Sequence, residues 1–166
     1  MTVLTILTAP NEQLLKPATP VTDVSKIQVL IEDLLATMYD TEDGIGLAAT
    51  QVGRREAVVV IDISENRDEP LVLVNPEIVS GDEKAKGQEG CLSVPGYYAD
   101  VERFTKVTVE ALDRHGKEIT ITSDDFLAIA MQHEIDHLKG TLFIDYLSPL
   151  KKQMALKKVK KMIKNS

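Results

Sequence analysis

The sequence predicts an α+β fold: a single domain of antiparallel or mixed β-sheets around a central helix, with further helices near both ends. Short runs rich in Val and Ile cluster in the middle of the chain, between residues 57 and 122. Helical periodicity is confined to the two ends and the region around residue 130. The chain has 166 residues, 43% hydrophobic and 27% charged, enough for one ordinary domain with a sizeable core. No repeat or low-complexity linker divides it, and that composition excludes wholesale disorder.

Each element has its own signal. Ser25 to Asp40 is predicted as a helix because Ile27, Leu30, Ile31, Leu34, Leu35 and Met38 share one face. The acidic stretch from Asp40 to Gly44 ends it, and a segment rich in small residues, Gly44 to Gly53, follows. Ala57 to Ile63 reads as a buried strand. Leu71 to Val74 reads likewise, closed by Asn75-Pro76. Ile78 to Lys86 is predicted as an edge strand or hairpin arm with a turn at Gly81-Asp82. From Tyr98 to Leu112 the pattern is β again, Val107 and Val109 alternating with Thr and Glu. Asp113 to Gly116 is a turn, and Glu118 to Thr122 the returning strand. Ser123 and Asp124 are expected to cap a helix running to about Leu138, with Gly140 just past its end. Ser148-Pro149 has the cap-then-first-turn pattern of a last helix, on which Leu150, Met154, Val159, Met162 and Ile163 are expected to supply an interrupted apolar face.

The net charge of −7 is unevenly spread. Residues 151–166 hold seven Lys and no acid, whereas the first 150 residues hold 12 basic and 26 acidic groups. The body is expected to repel nucleic acid, DNA included, and the tail to attract polyanions. With 4% aromatic residues and no Trp, base stacking is not a main function. No apolar run exceeds six residues (Phe126 to Met131), against about 20 for a membrane span, so no membrane association is expected. The first fifteen residues carry no Lys or Arg, so no cationic leader is expected. The lone Cys91 excludes an internal disulfide and fits a reducing cytoplasm.

The strongest chemical signal is Gln132-His133-Glu134-Ile135-Asp136-His137. Two His four residues apart on a helix lie on one face and can reach a single metal ion. Glu134 stands beside the first of them, placed to hydrogen-bond a water without ligating. A catalytic divalent site needs a third protein ligand. His115 sits in an Asp-Arg-His-Gly turn and reads as an exposed loop residue. Cys91, flanked by Gly90 and Gly96, is the better candidate, because a thiolate binds borderline divalent ions firmly. The Gly44–Gln51 segment lacks the third glycine and the Lys-Ser or Lys-Thr of nucleotide loops. It reads instead as backbone that something approaches closely, and Gln51 offers an amide to a developing oxyanion.

Gly44-Ile45-Gly46-Leu47-Ala48-Ala49-Thr50-Gln51, Glu89-Gly90-Cys91-Leu92-Ser93 and the His133–His137 segment, in this order, resemble the peptide deformylase family. The resemblance extends over Ile61–Asn66, Val74–Glu77 and Leu142–Leu150, and is to the short bacterial type that ends in a basic helix. It implies removal of the formyl group from N-terminal formyl-methionine of nascent polypeptides. It implies Cys91, His133 and His137 as metal ligands, Glu134 as the base, and the Gln51 amide and Leu92 N–H as oxyanion donors. The family implies Fe²⁺; Zn²⁺, Ni²⁺ and Co²⁺ also suit a thiolate with two imidazoles. Some members carry Arg where this chain has Tyr98, which removes a guanidinium contact to the peptide.

The division expected is a catalytic body, residues 1–150, and a basic helical extension, 151–166, that docks on the ribosome. The methionine side chain is expected to enter an uncharged pocket lined by Ile45, Phe126, Ile129 and Ala130, with the peptide backbone pairing along Gly44–Gly46. Asp136, pointing away from the metal face, is expected to pair with Arg103, and Glu89 to support the ligands. The alternative is a metalloprotease of the His-Glu-x-x-His type, which takes its third ligand downstream; Asp145 is its candidate.

Overall fold

The structure, a computed structural model, describes residues 1–165; Ser166, the end of the expected extension, lies outside the described residues. Five strands form one antiparallel sheet in chain order. They are β1 (Gly46–Ala48), β2 (Val58–Ile61), β3 (Leu71–Cys91), β4 (Val94–Leu112) and β5 (Glu118–Ser123). The helices are α1 (Gln28–Asp40), α2 (Phe126–Leu138) and α3 (Pro149–Lys164).

Strand β2 explains why its sequence is uninterrupted by polar residues. Val58 and Val60 point to one face and pack with Leu30, Ile31, Leu34 and Met38 of α1. Val59 and Ile61 point to the other and pack with Met131 and Ile135 of α2. Alternate side chains of a strand leave opposite faces, so a strand covered on both sides must be apolar throughout. All six residues expected on the apolar face of α1 are buried.

Four expectations require correction. Strand β3 does not stop at Asn75-Pro76 or turn at Gly81-Asp82. The ladder absorbs Asn75-Pro76 by shifting register between Val74 and Glu77, shifts again between Ile78 and Ser80, and then carries Gly81 and Asp82 in regular register. Asn75, at φ 51, turns its side chain to the backbone of Val21, accepting from its N–H at 2.8 Å and donating to its carbonyl at 2.9 Å. Gly81 pairs with Val107, and its missing side chain makes room for the Phe104 ring, which a Cβ would meet at 2.6 Å. Strand β1 arises within the small-residue segment, where no run of β-branched residues announced it. The cap of α2 is Asp125, not Ser123 or Asp124: Asp125 accepts from the Leu127 N–H at 3.0 Å, and the Ser123 hydroxyl holds that carboxylate at 2.5 Å.

The last correction concerns α3, which Ser148 caps and Pro149 starts. Its expected apolar face was Leu150, Met154, Val159, Met162 and Ile163; of these only Val159 is buried. Ala155 and Val159, four apart, form the true contact stripe, packed with Leu14, Val94, Val101 and Phe143. The small Ala155 lets the helix approach closely, and this rotation carries Leu150 and Met154 to the surface.

Candidate active site

Helix α2 presents His133, Glu134 and His137, and the two-residue turn Leu92-Ser93 between β3 and β4 brings Cys91 opposite them. The Cys91 Sγ and one ring nitrogen of each His lie within 4.8 Å of one another. Sγ is 3.3 Å from His137 Nε2, and the two imidazole centroids are 5.0 Å apart. His115 stays in an exposed turn, its backbone N–H bonded to Asp113. Asp145 is also remote from this cluster: it accepts from the Leu142 N–H at 2.9 Å and pairs with Lys152 at 2.7 Å.

A chain of charges supports the first His. Glu89 Oε1 stands 2.9 Å from His133 Nδ1. Arg103 grips both Glu89 oxygens, at 2.8 and 2.9 Å, and reaches Asp136 at 2.6 Å, the pairing anticipated for Asp136. The exposed Tyr146 hydroxyl closes the chain by donating to Asp136 at 2.8 Å. Burial opposes ionisation of Glu89, but hydrogen bonds from Arg103 and His133 outweigh it and hold its pKa at about 2. Burial also opposes charge on His133, yet Cys91 and Glu89 raise it above the ordinary range. His137 has no carboxylate on its ring, its Nδ1 being without a hydrogen bond among the described residues; burial and the neighbouring His133 push it down.

Glu134 is buried, and its Oε1 has no hydrogen-bond partner among the described residues. Burial pushes its pKa up to about 7. Its other oxygen lies against Gly46, where a Cβ would stand only 2.5 Å away. The close approach expected of the glycine segment is thus made by the Glu134 carboxyl. Gln51, also buried, accepts from the Ala48 N–H at 2.9 Å. Its amide nitrogen donates to the Ser93 hydroxyl at 3.0 Å and faces Cys91 Sγ at 3.7 Å. The second amide hydrogen is therefore only loosely held. Nothing in the sequence singled out Ser93, because a serine in a turn is common.

These groups open onto a cavity of about 370 Å³. Ile45, Gly46, Leu92, Phe126, Ile129 and Ala130 line it together with Gln51, Cys91, His133 and Glu134. The cavity is not free of charged groups, contrary to expectation: Asp43, Glu89 and Glu134 also line it, and no Lys or Arg does among the described residues. Phe126 and Tyr98 stand exposed at its mouth, and the Tyr98 ring lies on Gly90, where a Cβ would meet it at 2.5 Å.

One soft and two borderline donors, converging beside an unpartnered buried carboxyl, fit a divalent cation with an adjacent proton acceptor. That constellation, set on a helix packed against an antiparallel sheet, defines the class: a candidate divalent-metal centre of the thiolate–bis-imidazole type. The comparisons narrow the class. The polypeptide deformylase family model matches residues 3–153. Peptide deformylase 1 of Vibrio vulnificus is 70% identical over 161 residues, covering 97% of this chain and 96% of that protein. Peptide deformylase 2 of Vibrio cholerae is 68% identical over 165 residues, 99% of this chain and 98% of its own. The crystal structure of a peptide deformylase from Legionella pneumophila superposes with a TM-score of 0.94 at 49% identity, covering 98% of this chain and 96% of that one. The Ehrlichia chaffeensis peptide deformylase in complex with actinonin gives 0.92 at 40% identity, covering 98% of each. The chain belongs to the polypeptide deformylase family.

Proposed function

We propose that this enzyme hydrolyses the formyl group from N-terminal formyl-methionine of nascent polypeptides, releasing formate and a free amine. The observation that carries this reading is the convergence of Cys91, His133 and His137 beside buried Glu134, on a cavity that also exposes Gln51 and apolar walls. Cys91, His133 and His137 would hold the cation, which when bound polarises the formyl carbonyl and acidifies water. Fe²⁺ is the proposed ion; Zn²⁺, Ni²⁺ or Co²⁺ suits the same donors. Glu89 and Arg103 fix the His133 ring so that its other nitrogen faces the cluster.

Glu134 takes the proton of the attacking water; burial and its proximity to the cluster suit its carboxylate to that task. The loosely held Gln51 amide hydrogen and the Leu92 backbone N–H donate to the oxyanion that develops on the formyl carbon. Glu134 then returns the proton to the departing amine. The methionine side chain fits among Ile45, Phe126, Ile129 and Ala130. β1 is an edge strand, so the peptide can add alongside Gly44–Gly46 with main-chain hydrogen bonds.

Residues 1–150 form the catalytic part in this reading, working in the cytoplasm, where the Cys91 thiol stays reduced. Residues 151–166 hold the enzyme on ribosomal RNA through lysines. The protease alternative loses support because Asp145 is engaged elsewhere and Cys91 takes the third position. The test is metal analysis of anaerobically purified protein together with formate release from formyl-Met-Ala-Ser. Cys91→Ala is expected to lose metal and formate release together, and Asp145→Ala to keep both. The reverse pattern favours the protease.

A further inference from the structure

The wall that would receive the peptide is tied down by one side chain that lies outside the cavity. Arg67, half-buried in the β2–β3 connection, sends its guanidinium across to the loop that follows α1. Nη1 donates to the carbonyls of Thr41 at 3.0 Å and Glu42 at 2.9 Å. Nη2 donates to those of Met38 at 3.1 Å and Gly44 at 3.2 Å. Four backbone carbonyls converge on one planar fork, an arrangement that a lysine ammonium, with three donors at a single point, cannot reproduce.

Arg67 itself sits at φ 54, a left-handed conformation that residues with a Cβ seldom adopt. Strain of this kind persists only where the surroundings impose it. The surroundings are a second tie to the same wall. The Asp62 N–H donates to the Ile45 carbonyl at 2.8 Å. The Asp62 carboxylate accepts from the Tyr39 hydroxyl at 2.5 Å and from the Glu69 N–H at 3.1 Å. The Tyr39 ring in turn carries the Arg67 guanidinium, 5.5 Å from its centroid. Apart from Arg67, loop 41–44 is held by short-range contacts: the Thr41 hydroxyl donates to Met38 and accepts from the Gly44 N–H at 3.0 Å. Asp43, Gly44, Ile45 and Gly46 all line the cavity.

We propose that Arg67 is a positioning residue for substrate: it acts through the backbone of residues 41–44 to hold the Gly44–Gly46 edge in the shape that pairs with the peptide. This rests on the deformylase reading of the site. Arg67 touches neither the cluster of Cys91, His133 and His137 nor Glu134, so it affects how well the peptide is gripped and leaves the chemical step alone. Replacing it loosens an edge that must otherwise be ordered when the peptide binds, and that cost falls on binding.

A plain helix-capping role makes a different forecast, because Met38, Thr41 and Glu42 lie at the C-terminal end of α1, where a cation is favourable for stability alone. The experiment compares wild type, Arg67→Lys and Arg67→Ala as metal-loaded enzymes on formyl-Met-Ala-Ser, with amide hydrogen exchange of residues 41–46 read in parallel. The expected result is a KM raised about tenfold in Arg67→Ala and about threefold in Arg67→Lys. In both, kcat stays within about twofold of wild type, metal content is equal, and exchange at 41–46 is faster. If Arg67→Ala fails to fold, Arg67→Lys alone decides. Unchanged KM and exchange with a lower Tm overturns the proposal in favour of capping, and a loss in kcat with KM unchanged overturns it too. Failure of wild type to release formate would sink the deformylase reading instead, and leave exchange at 41–46 as the readout for Arg67.

Discussion

Gly46 and Glu134 are mutually dependent: the carboxyl of the helix residue occupies the space where a side chain on the strand residue would begin, 2.5 Å from an ideal Cβ. Contacts that short do not occur between real atoms, and the nearest obstacle is the carboxyl of Glu134, the proposed proton acceptor. Gly46→Ala must therefore move that carboxyl. A misplacement of about 1 Å in a reacting group can cost on the order of 100-fold in rate. The expected outcome is a kcat lowered at least tenfold on formyl-Met-Ala-Ser with metal content as in wild type, since no ligand is touched. Glu134→Ala sets the floor, with metal retained and under about a tenth of wild-type kcat. Activity of Gly46→Ala equal to wild type would show that the carboxyl has another usable position.

Asp62, which ties Ile45 to the sheet, makes acid stability measurable. Burial opposes its ionisation, but hydrogen bonds from Ser64, Tyr39 and Glu69 outweigh that and hold the carboxyl below its ordinary value of 3.8. A depressed folded pKa means that the stabilisation is complete above the unfolded value and is lost as pH falls through the folded one. Asp62→Asn should therefore unfold at lower denaturant than wild type at pH 7, with the gap narrowing as pH drops below about 4. A gap of constant size from pH 7 to pH 3 would mean that Asp62 is not ionised in the folded protein.

The elements that dictate their own structure were legible in the sequence. The apolar stripe of α1, the Val-rich β2 and the Ser148-Pro149 start of α3 each carry a local signal that the fold obeys. The clustering of His133 with His137 was legible too, because helical geometry alone stacks one over the other, and Cys91 joins them as expected. What escaped depended on contacts between distant residues. Asn75 continues a strand because its side chain finds Val21, 54 positions away. Gly81 continues one because Phe104 fills its space. The inner face of α3 turned on a small residue, Ala155, which weighs little in any hydrophobic pattern. The Arg67 clamp escaped because its acceptors are backbone carbonyls, which no residue type announces.

The cavity lining sets a preference among first residues. Ile45, Ile129 and Ala130 offer apolar contact, and the side chains beside them include the carboxyls of Asp43, Glu89 and Glu134; Arg103 pairs with Glu89 from behind, and no Lys or Arg lines the cavity among the described residues. An aspartate side chain entering this cavity loses hydration and meets like charge. Formyl-Met and formyl-norleucine peptides should be cleaved with similar kcat/KM, and formyl-Asp peptides at least about 100-fold less well. Competition assays on peptides identical beyond the first residue measure this ratio directly. Equal kcat/KM for the Asp and Met peptides would remove the pocket from this cavity.

Helix α3 separates two properties on two faces. Ala155 and Val159 are buried against Leu14, Val94, Val101 and Phe143, while Lys157, Lys158, Lys160, Lys161 and Lys164 are exposed. Deleting residues 151–166 would uncover that apolar cluster, and burying one valine alone is worth roughly 1.5–3 kcal/mol. Truncation thus confuses lost packing with lost charge. Replacing these five lysines with alanine keeps the buried stripe and the helix propensity. If these lysines bind ribosomal RNA, the variant should stop co-sedimenting with ribosomes at low salt, and wild-type binding should weaken steeply as salt rises. Hydrolysis of formyl-Met-Ala-Ser should stay within about twofold of wild type, because no exposed lysine of α3 lines the cavity. If the lysine variant pellets with ribosomes as wild type does, the lysines serve only to balance an acidic body.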